Sequence, residues 1–426
     1  LHRLIRRQRQ MCIRDSFLDH NQEPFFNQVE DKGRWNLAAE ACEDAINACT
    51  QAGIRLYQKE DYVTSQLLTD ETKLVNAIRN SVAEPWNCEL IWGCTRSLLD
   101  PGFQSSCLPR LEDGGTAVTS ATISLPFSTV NAFYTKNGLP VEQDANYYKD
   151  GMYFPVKYSK DNSEFTEHYD FDYNYRYVIE NETTAGMNFD REPRFYASVG
   201  FDRGVWYGNS YSDPAGDQSE SQAAYRYPRN RFGEFSSVWN STWYNVTGYW
   251  AKKLVALRSA FTGSDNVSFY SVPFPDMRYA DLLLMAAEAW NEAEETPNEK
   301  VYDYLDQVRE RAGLEGIKET YAKYASAQYK DYPSHKSQMR DIIHRERQVE
   351  LSCEGSYYWD TRRWKTAEKE LNRIVQGWNV LNGETAEDYY IPTNIYNQQF
   401  TLRDYFAPIP DGDIIRNPQL VQNPWW

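Results

Sequence analysis

The spacing of apolar side chains predicts a helix that begins near Arg278. Between this residue and Ala293, apolar positions recur every three or four residues, at Tyr279, Leu283, Ala286, Ala287 and Trp290. This spacing places them on one face of an amphipathic helix. The opposite face is more polar, so we expect the apolar face to pack against a neighbouring element.

Two further helices are predicted immediately downstream. Apolar residues recur at Val301, Leu305, Val308 and Ala312, with Asn298 as a candidate N-cap and Gly313 as a candidate left-handed end. A third helix is predicted from about Ser337 to near Gly355. Consecutive helices joined by short turns are typical of an α-solenoid of the tetratricopeptide kind, in which each helix pair buries its face against the next.

The remainder of the chain divides by pattern. Helical spacing returns in the N-terminal part, from Trp35 to Lys59 with Gly53 as a stop, and from Thr72 to Arg79. From Pro85 to about Ser271 the chain is rich in Tyr, Trp, Asn and Gly, and its short strand-like runs include LPFSTV, RFYASVGF and GYWAKKLVAL. We therefore expect a mainly α protein with these segments: a basic arm (1–16), N-terminal helices (17–84), an irregular aromatic insertion (85–271), C-terminal helices (272–371) and a loop-rich end (372–426).

Composition restricts the partners. The net charge is −16, although the first sixteen residues alone hold five arginines and one aspartate. So acidic a body argues against nucleic-acid binding, which needs clustered Lys and Arg. Aromatic residues make up 15% of the chain, with 32 Tyr and 13 Trp. That abundance indicates exposed rings, which commonly mark recognition surfaces.

Several segments together resemble one family. The order RYADLLLMAAEAWNEA, VRERAGLEG and ERQVELSCEG is similar to the C-terminal signature of the SusD/RagB family. FYTKNGLPVEQD (133–144), EPRFYASVG (192–200) and FAPIPDGDIIRNPQLVQNP (406–424) resemble three further family motifs, with Glu192 where Asp is usual. The resemblance implies a scaffold of tetratricopeptide-like helix pairs with an irregular lobe. It also implies a lipid-anchored outer-membrane protein of Bacteroidetes-type bacteria, which captures oligosaccharide at the cell surface and delivers it to a TonB-dependent transporter.

The N-terminus does not fit that expectation. LHRLIRRQRQMCIRDS is basic and lacks the apolar run of a secretory signal peptide, so Cys12 does not resemble a lipidation site. We interpret the chain as an N-terminally truncated family member whose first sixteen residues are foreign sequence. A native disordered basic arm is the alternative.

Candidate ligand-binding residues come from the aromatic insertion. A sugar offers an apolar C–H face and a rim of hydroxyls, so its site needs flat rings beside short polar side chains. The runs DRGVWYGNSY and SVWNSTWYNVTGYW, with EPWN upstream, supply both kinds of group. The alternative is that half of these rings form the core of the insertion. The candidates are Trp206, Tyr207, Tyr211, Trp239, Trp243, Tyr244 and Trp86, with Asn209 and Arg203 as polar partners.

Two other functions compete with glycan binding. Glu346 and Glu350 lie four residues apart, a spacing compatible with the carboxylate pair of a glycoside hydrolase. The surrounding arginines favour structural ion pairs instead, and we predict no catalytic residue. The chain could also be a solenoid scaffold that binds only proteins. Neither a metal site nor a cofactor is predicted, because the five histidines are scattered without metal-ligand spacing.

Overall fold

Helices dominate the architecture, and the strands are short. The computed structural model describes residues 32–96, 101–111, 119–209, 226–261, 266–423 and 425–426. The helices, numbered here in chain order, are α1 Lys32–Gln51, α2 Asp70–Ala83, α3 Pro101–Cys107, α4 Phe127–Val130, α5 Ser163–His168, α6 Phe171–Asn174, α7 Pro193–Ser198, α8 Tyr279–Ala293, α9 Glu299–Arg311, α10 Ile317–Tyr324, α11 Lys336–Glu350, α12 Ser356–Arg363, α13 Ala367–Leu371, α14 Ala386–Tyr389 and α15 Asp411–Arg416.

The strands form two-stranded antiparallel ladders. In chain order the strands are β1 Leu90–Cys94, β2 Pro155–Lys157, β3 Thr183–Ala185, β4 Val199–Phe201, β5 Tyr249–Ala251, β6 Ala260–Phe261, β7 Val267–Ser268, β8 Phe274–Arg278, β9 Arg373–Gly377 and β10 Thr393–Gln398. The pairs are β1–β8, β2–β3, β4–β5, β6–β7 and β9–β10.

Helix α8 is the centre of a tetratricopeptide-like scaffold. It packs against α1, α9 and α11, and a buried apolar cluster runs through these helices. The predicted ends of α9 are confirmed: the Asn298 side chain accepts a hydrogen bond from the Val301 N–H at 3.3 Å, and Gly313 has a φ of +79°. These local signals set the helix boundaries as the sequence predicted.

The three strand-like runs named from the sequence are wrong in part or in whole. LPFSTV contains the short helix α4, and RFYASVGF begins as α7 before β4. Pro193 occupies the first turn of α7, where its missing N–H costs nothing. GYWAKKLVAL keeps its strand only at Tyr249–Ala251. Most of these segments face a second, aromatic-rich core that includes Phe127, Phe195 and Trp250.

A buried ion network joins the scaffold to the aromatic region. Its members are five bases, Arg194, Lys253, Arg278, Arg309 and Arg311, and five acids, Glu89, Glu192, Glu346, Glu350 and Glu354. None of these side chains is more than 4% exposed. The formal charges therefore balance within the network. Such balance is needed, because an unpaired charge at this depth is costly.

Candidate functional site

A loop that carries two exposed tryptophans is the candidate ligand surface. We call residues 237–247 the tryptophan loop. Trp239 is 50% exposed and Trp243 is 43% exposed. The segment that carries them is a series of bends and contains no strand. Tyr244 is half-buried against the aromatic core, so the two tryptophans are the accessible rings of this loop.

The loop is held in shape by hydrogen bonds within it, including those to the Asn240 side chain, and by one arginine. Asn240 Oδ1 accepts hydrogen bonds from the N–H groups of Thr242 and Trp243, each at 2.9 Å. The Trp239 N–H donates to the Trp243 carbonyl at 3.3 Å. Buried Arg110 donates to the carbonyls of Phe235, at 3.2 Å, and Ser237, while its guanidinium lies 5.6 Å from the centre of the Trp239 ring. A preordered loop loses less entropy when it binds a ligand.

A depression of about 480 Å³ lies beside Trp239, within the range of small-molecule sites. It is lined by Arg229, Gly233, Glu234, Phe235, Ser237, Val238 and Trp239. An aromatic ring, apolar side chains and charged side chains of both signs therefore line one depression next to the loop. Phe232, 42% exposed in the segment that leads to it, was not a sequence candidate.

Four of the predicted ligand contacts are corrected by the structure, because they lie in the interior. Trp206 is 1% exposed, and its indole N–H donates to Asn209 Oδ1 at 2.9 Å. Asn209 is itself fully buried, and its amide donates to the carbonyls of Ala256, at 3.0 Å, and Ser259. Tyr207 is 4% exposed. These residues hold the lobe together and present no face to a ligand.

Arg203 is the fourth of these corrections. It is 4% exposed, and its guanidinium pairs with Asp202 at 2.9 Å and with Glu182 at 2.9 Å, and also with Glu234. Although burial opposes the charged form, Asp202 and Glu234 raise the pKa of Arg203 above its ordinary value. The positive charge of Arg203 is therefore neutralised by carboxylates of the protein itself. Gly200, which has no side chain, admits the Trp206 ring close against the backbone.

Of the remaining two candidates, Trp86 lies elsewhere. Trp86 is 65% exposed, with a φ of +52°, at the turn that precedes β1. Its ring packs near Gly93 of that strand. Neighbouring Trp92 is 48% exposed within β1. Tyr211 lies outside the described residues.

The carboxylates of the glycosidase alternative belong to the buried ion network. Glu346 accepts from Arg194 at 2.5 Å and from Arg309 at 3.3 Å. Glu350 accepts from Arg278 at 2.7 Å, from Arg194 at 3.2 Å and from Arg311. Burial opposes ionisation of Glu350, but Arg311 and Arg278 hold its pKa well below the usual range. A general acid needs the opposite shift and access to substrate.

In the described part of the chain, no group of three or more potential metal-ligating side chains occurs. Within the same residues, no helix is both long enough and apolar enough to cross a bilayer. The six cysteines that the structure describes are unbridged: Cys42, Cys49, Cys88, Cys94, Cys107 and Cys353.

The fold and surface define a class: a tetratricopeptide-like helical scaffold that carries an irregular aromatic lobe with an exposed tryptophan loop. The sequence model of the SusD family matches residues 101–426. The chain therefore belongs to the SusD family, as its motifs predicted.

Individual relatives agree with this assignment. SusD-like protein P2 of Formosa agariphila is 29% identical over 197 residues, which cover 46% of this chain and 33% of that protein. The chain thus matches about a third of the length of this relative. The solved structure of selenomethionine BT4246 superposes with a TM-score of 0.78 at 22% identity, covering 99% of this chain and 72% of the other. A SusD-like protein of Bacteroides fragilis, BF3747, gives 0.59 at 17% identity, covering 99% and 70%. At these identities the two structures establish the shared fold.

Proposed function

We propose that the protein binds oligosaccharide through the tryptophan loop and the depression beside it. The observation that carries this proposal is the pair of half-exposed tryptophans, held by a preordered loop in a member of the SusD family. Flat rings receive the C–H face of a sugar, while Arg229 and Glu234 place polar groups in the depression beside them. In this proposal the protein binds the sugar and catalyses no reaction on it.

The affinity need only be modest. Millimolar to micromolar binding corresponds to about −4 to −8 kcal/mol. Stacking on one aromatic ring contributes about 1–3 kcal/mol in nucleic-acid binding, which is the nearest measured analogy. Two rings with a few hydrogen bonds are therefore sufficient.

The test is retardation in native gels that contain plant, host or algal polysaccharides, run beside a reducing-sugar assay. For the polysaccharide that retards the wild type, Trp239→Ala and Trp243→Ala should each weaken binding by about 5-fold to 150-fold, the equivalent of about 1–3 kcal/mol. Trp359→Ala is the matched control, because that ring is 51% exposed on α12 and outside the loop. Undiminished retardation of both loop variants would remove the loop from the site, and release of reducing sugar would contradict binding without catalysis.

We further propose that the captured glycan passes to a TonB-dependent outer-membrane transporter and that the full protein is lipid-anchored at the cell surface. Support comes from family membership alone. The test is purification of the native protein from outer membranes under mild detergent, followed by identification of co-purifying proteins. Recovery of a TonB-dependent transporter at constant stoichiometry is expected, and purification free of any transporter would contradict the proposal.

A further inference from the structure

A second cleft opens on the scaffold, away from the tryptophan loop. Its volume is about 430 Å³, and no residue that lines the depression beside Trp239 lines it. Its floor is one face of α11, where Gln338, Asp341, Arg345 and Gln348 follow at steps of three and four residues. That spacing stacks their side chains along one stripe of a helix. We call this site the α11 cleft.

Rings form the walls of the α11 cleft. Tyr332 and Tyr357 are half-buried at its sides. His344 and Trp364 also line it and stack face to face, with ring centres 3.5 Å apart and planes inclined by 13°. Burial lowers the pKa of His344 to about 3, so its ring is neutral at physiological pH. The walls thus present uncharged, flat apolar surfaces.

The polar groups of the cleft are fixed in position. Arg345 donates to the carbonyls of Ala132 at 2.7 Å and Asn131 at 3.0 Å, so its guanidinium is anchored by backbone. Gln143 Oε1 accepts from the Tyr321 hydroxyl at 2.8 Å, which directs the rest of that amide. Side chains held in this way are preorganised for a ligand.

Free hydrogen-bonding capacity is also present. Among the described residues, the side chains of Gln348 and Lys369 and the Nε2 of Gln143 make no hydrogen bond, and all three residues line the cleft. Donors and acceptors are therefore both on offer, as the hydroxyls of a polyol require.

The charges select against ions as ligands. Glu142, Asp341 and Glu370 would repel an anion, while Arg345 and Lys369 would repel a cation. A neutral molecule rich in hydroxyls can donate hydrogen bonds to the carboxylates and accept them from the basic side chains. Aromatic walls, free amides and nearly balanced charge together match the chemistry of a neutral sugar better than that of a charged peptide.

We propose that the α11 cleft is a second carbohydrate site, which takes a short neutral oligosaccharide. The proposal rests on the proposed function in that it assumes the protein meets glycan. A polysaccharide that engages both sites would be held by avidity, without any new contact.

The test is hydrogen–deuterium exchange of the full chain with cellohexaose, xylohexaose, mannohexaose or maltohexaose, each at about 10 mM to saturate weak sites. We expect slower exchange in peptides from α11 and α12 in the wild type. The same protection should persist in the double variant Trp239→Ala/Trp243→Ala. It should need at least about tenfold more sugar in Asp341→Ala/Gln348→Ala, which loses two hydrogen-bonding groups.

The control is Glu319→Gln, an exposed change on α10 that does not line the cleft and should leave protection intact. Unfolding midpoints show whether each variant remains folded. Protection confined to the tryptophan loop would overturn the second site while leaving the proposed function standing. Protection of α11 by none of the hexaoses would overturn the second site, while retardation of the wild type by a polysaccharide would still support the proposed function. Protection of α11 by a tryptic casein digest, but by no sugar, would make the cleft a peptide site and overturn its assignment to carbohydrate.

Discussion

The buried ion network makes a quantitative prediction at Glu350. Its carboxylate accepts from Arg278 at 2.7 Å, from Arg194 at 3.2 Å and from Arg311, and it is 1% exposed. Glu350→Gln keeps the volume but removes one negative charge, so five bases then face four acids. Breaking a buried ion pair on one side costs about 3–5 kcal/mol. Because whole proteins are stable by about 5–15 kcal/mol, that loss should be plain.

Urea unfolding followed by tryptophan fluorescence measures the effect. The matched control is Glu319→Gln, the same chemical change at an exposed position, which should alter the free energy of unfolding by less than about 0.5 kcal/mol. Adding Arg311→Met to Glu350→Gln restores charge balance and should recover part of the loss. A Glu350→Gln protein within about 1 kcal/mol of wild type would refute the role assigned to the network.

Two further outcomes follow from buried side chains. Burial lowers the pKa of His344 to about 3 from 6.5, so its stabilising contribution is complete above pH 6.5 and is lost as pH falls towards 3. Between about pH 6.5 and 4.5, this residue should lower the unfolding free energy of the wild type by about 1.4 kcal/mol per pH unit. His344→Phe keeps a ring against Trp364 but cannot bind a proton, so that part of the slope should vanish. Parallel curves for variant and wild type would contradict this. Trp206→Ala should cost about 3–5 kcal/mol in urea unfolding, yet leave glycan retardation of the folded fraction unchanged, and loss of retardation would return Trp206 to the site.

The scaffold was predictable from sequence because its signals are local. Helix α9 could be predicted from its apolar spacing, the Asn298 cap and Gly313, which all lie within sixteen residues. LPFSTV and RFYASVGF were misassigned because a short apolar run fits a strand and a buried helix equally well. The proline at the start of α7 was the local cue in the second case.

Exposure of the candidate rings was not predictable in the same way. Trp206 and Trp239 both lie in segments rich in Gly, Asn and Ser, yet one is buried and the other is half exposed. The difference comes from residues distant in the sequence. Trp206 is covered by Arg79 and Lys252, whereas Trp239 lies beside Arg110. The polar stripe on α11 is regular enough to be seen in the sequence, but alone it indicates only a solvated face. The rings that wall the cleft flank α11 in the chain, at Tyr332, Tyr357 and Trp364, but Glu142 and Gln143 come from far away in the sequence, so the cleft is visible only in the fold.

The way Arg110 holds the tryptophan loop bears on how such a surface can diverge. It binds the carbonyls of residues 235 and 237, and every amino acid carries a carbonyl. The two rings lie outside the buried ion network. Within that network a single substitution costs much stability. Under the proposed function, substitutions at Trp239 and Trp243 can therefore alter which sugar is recognised while Arg110 keeps its bonds to the two carbonyls and the interior stays balanced. Selection for a different sugar would then act on positions where a substitution costs little stability.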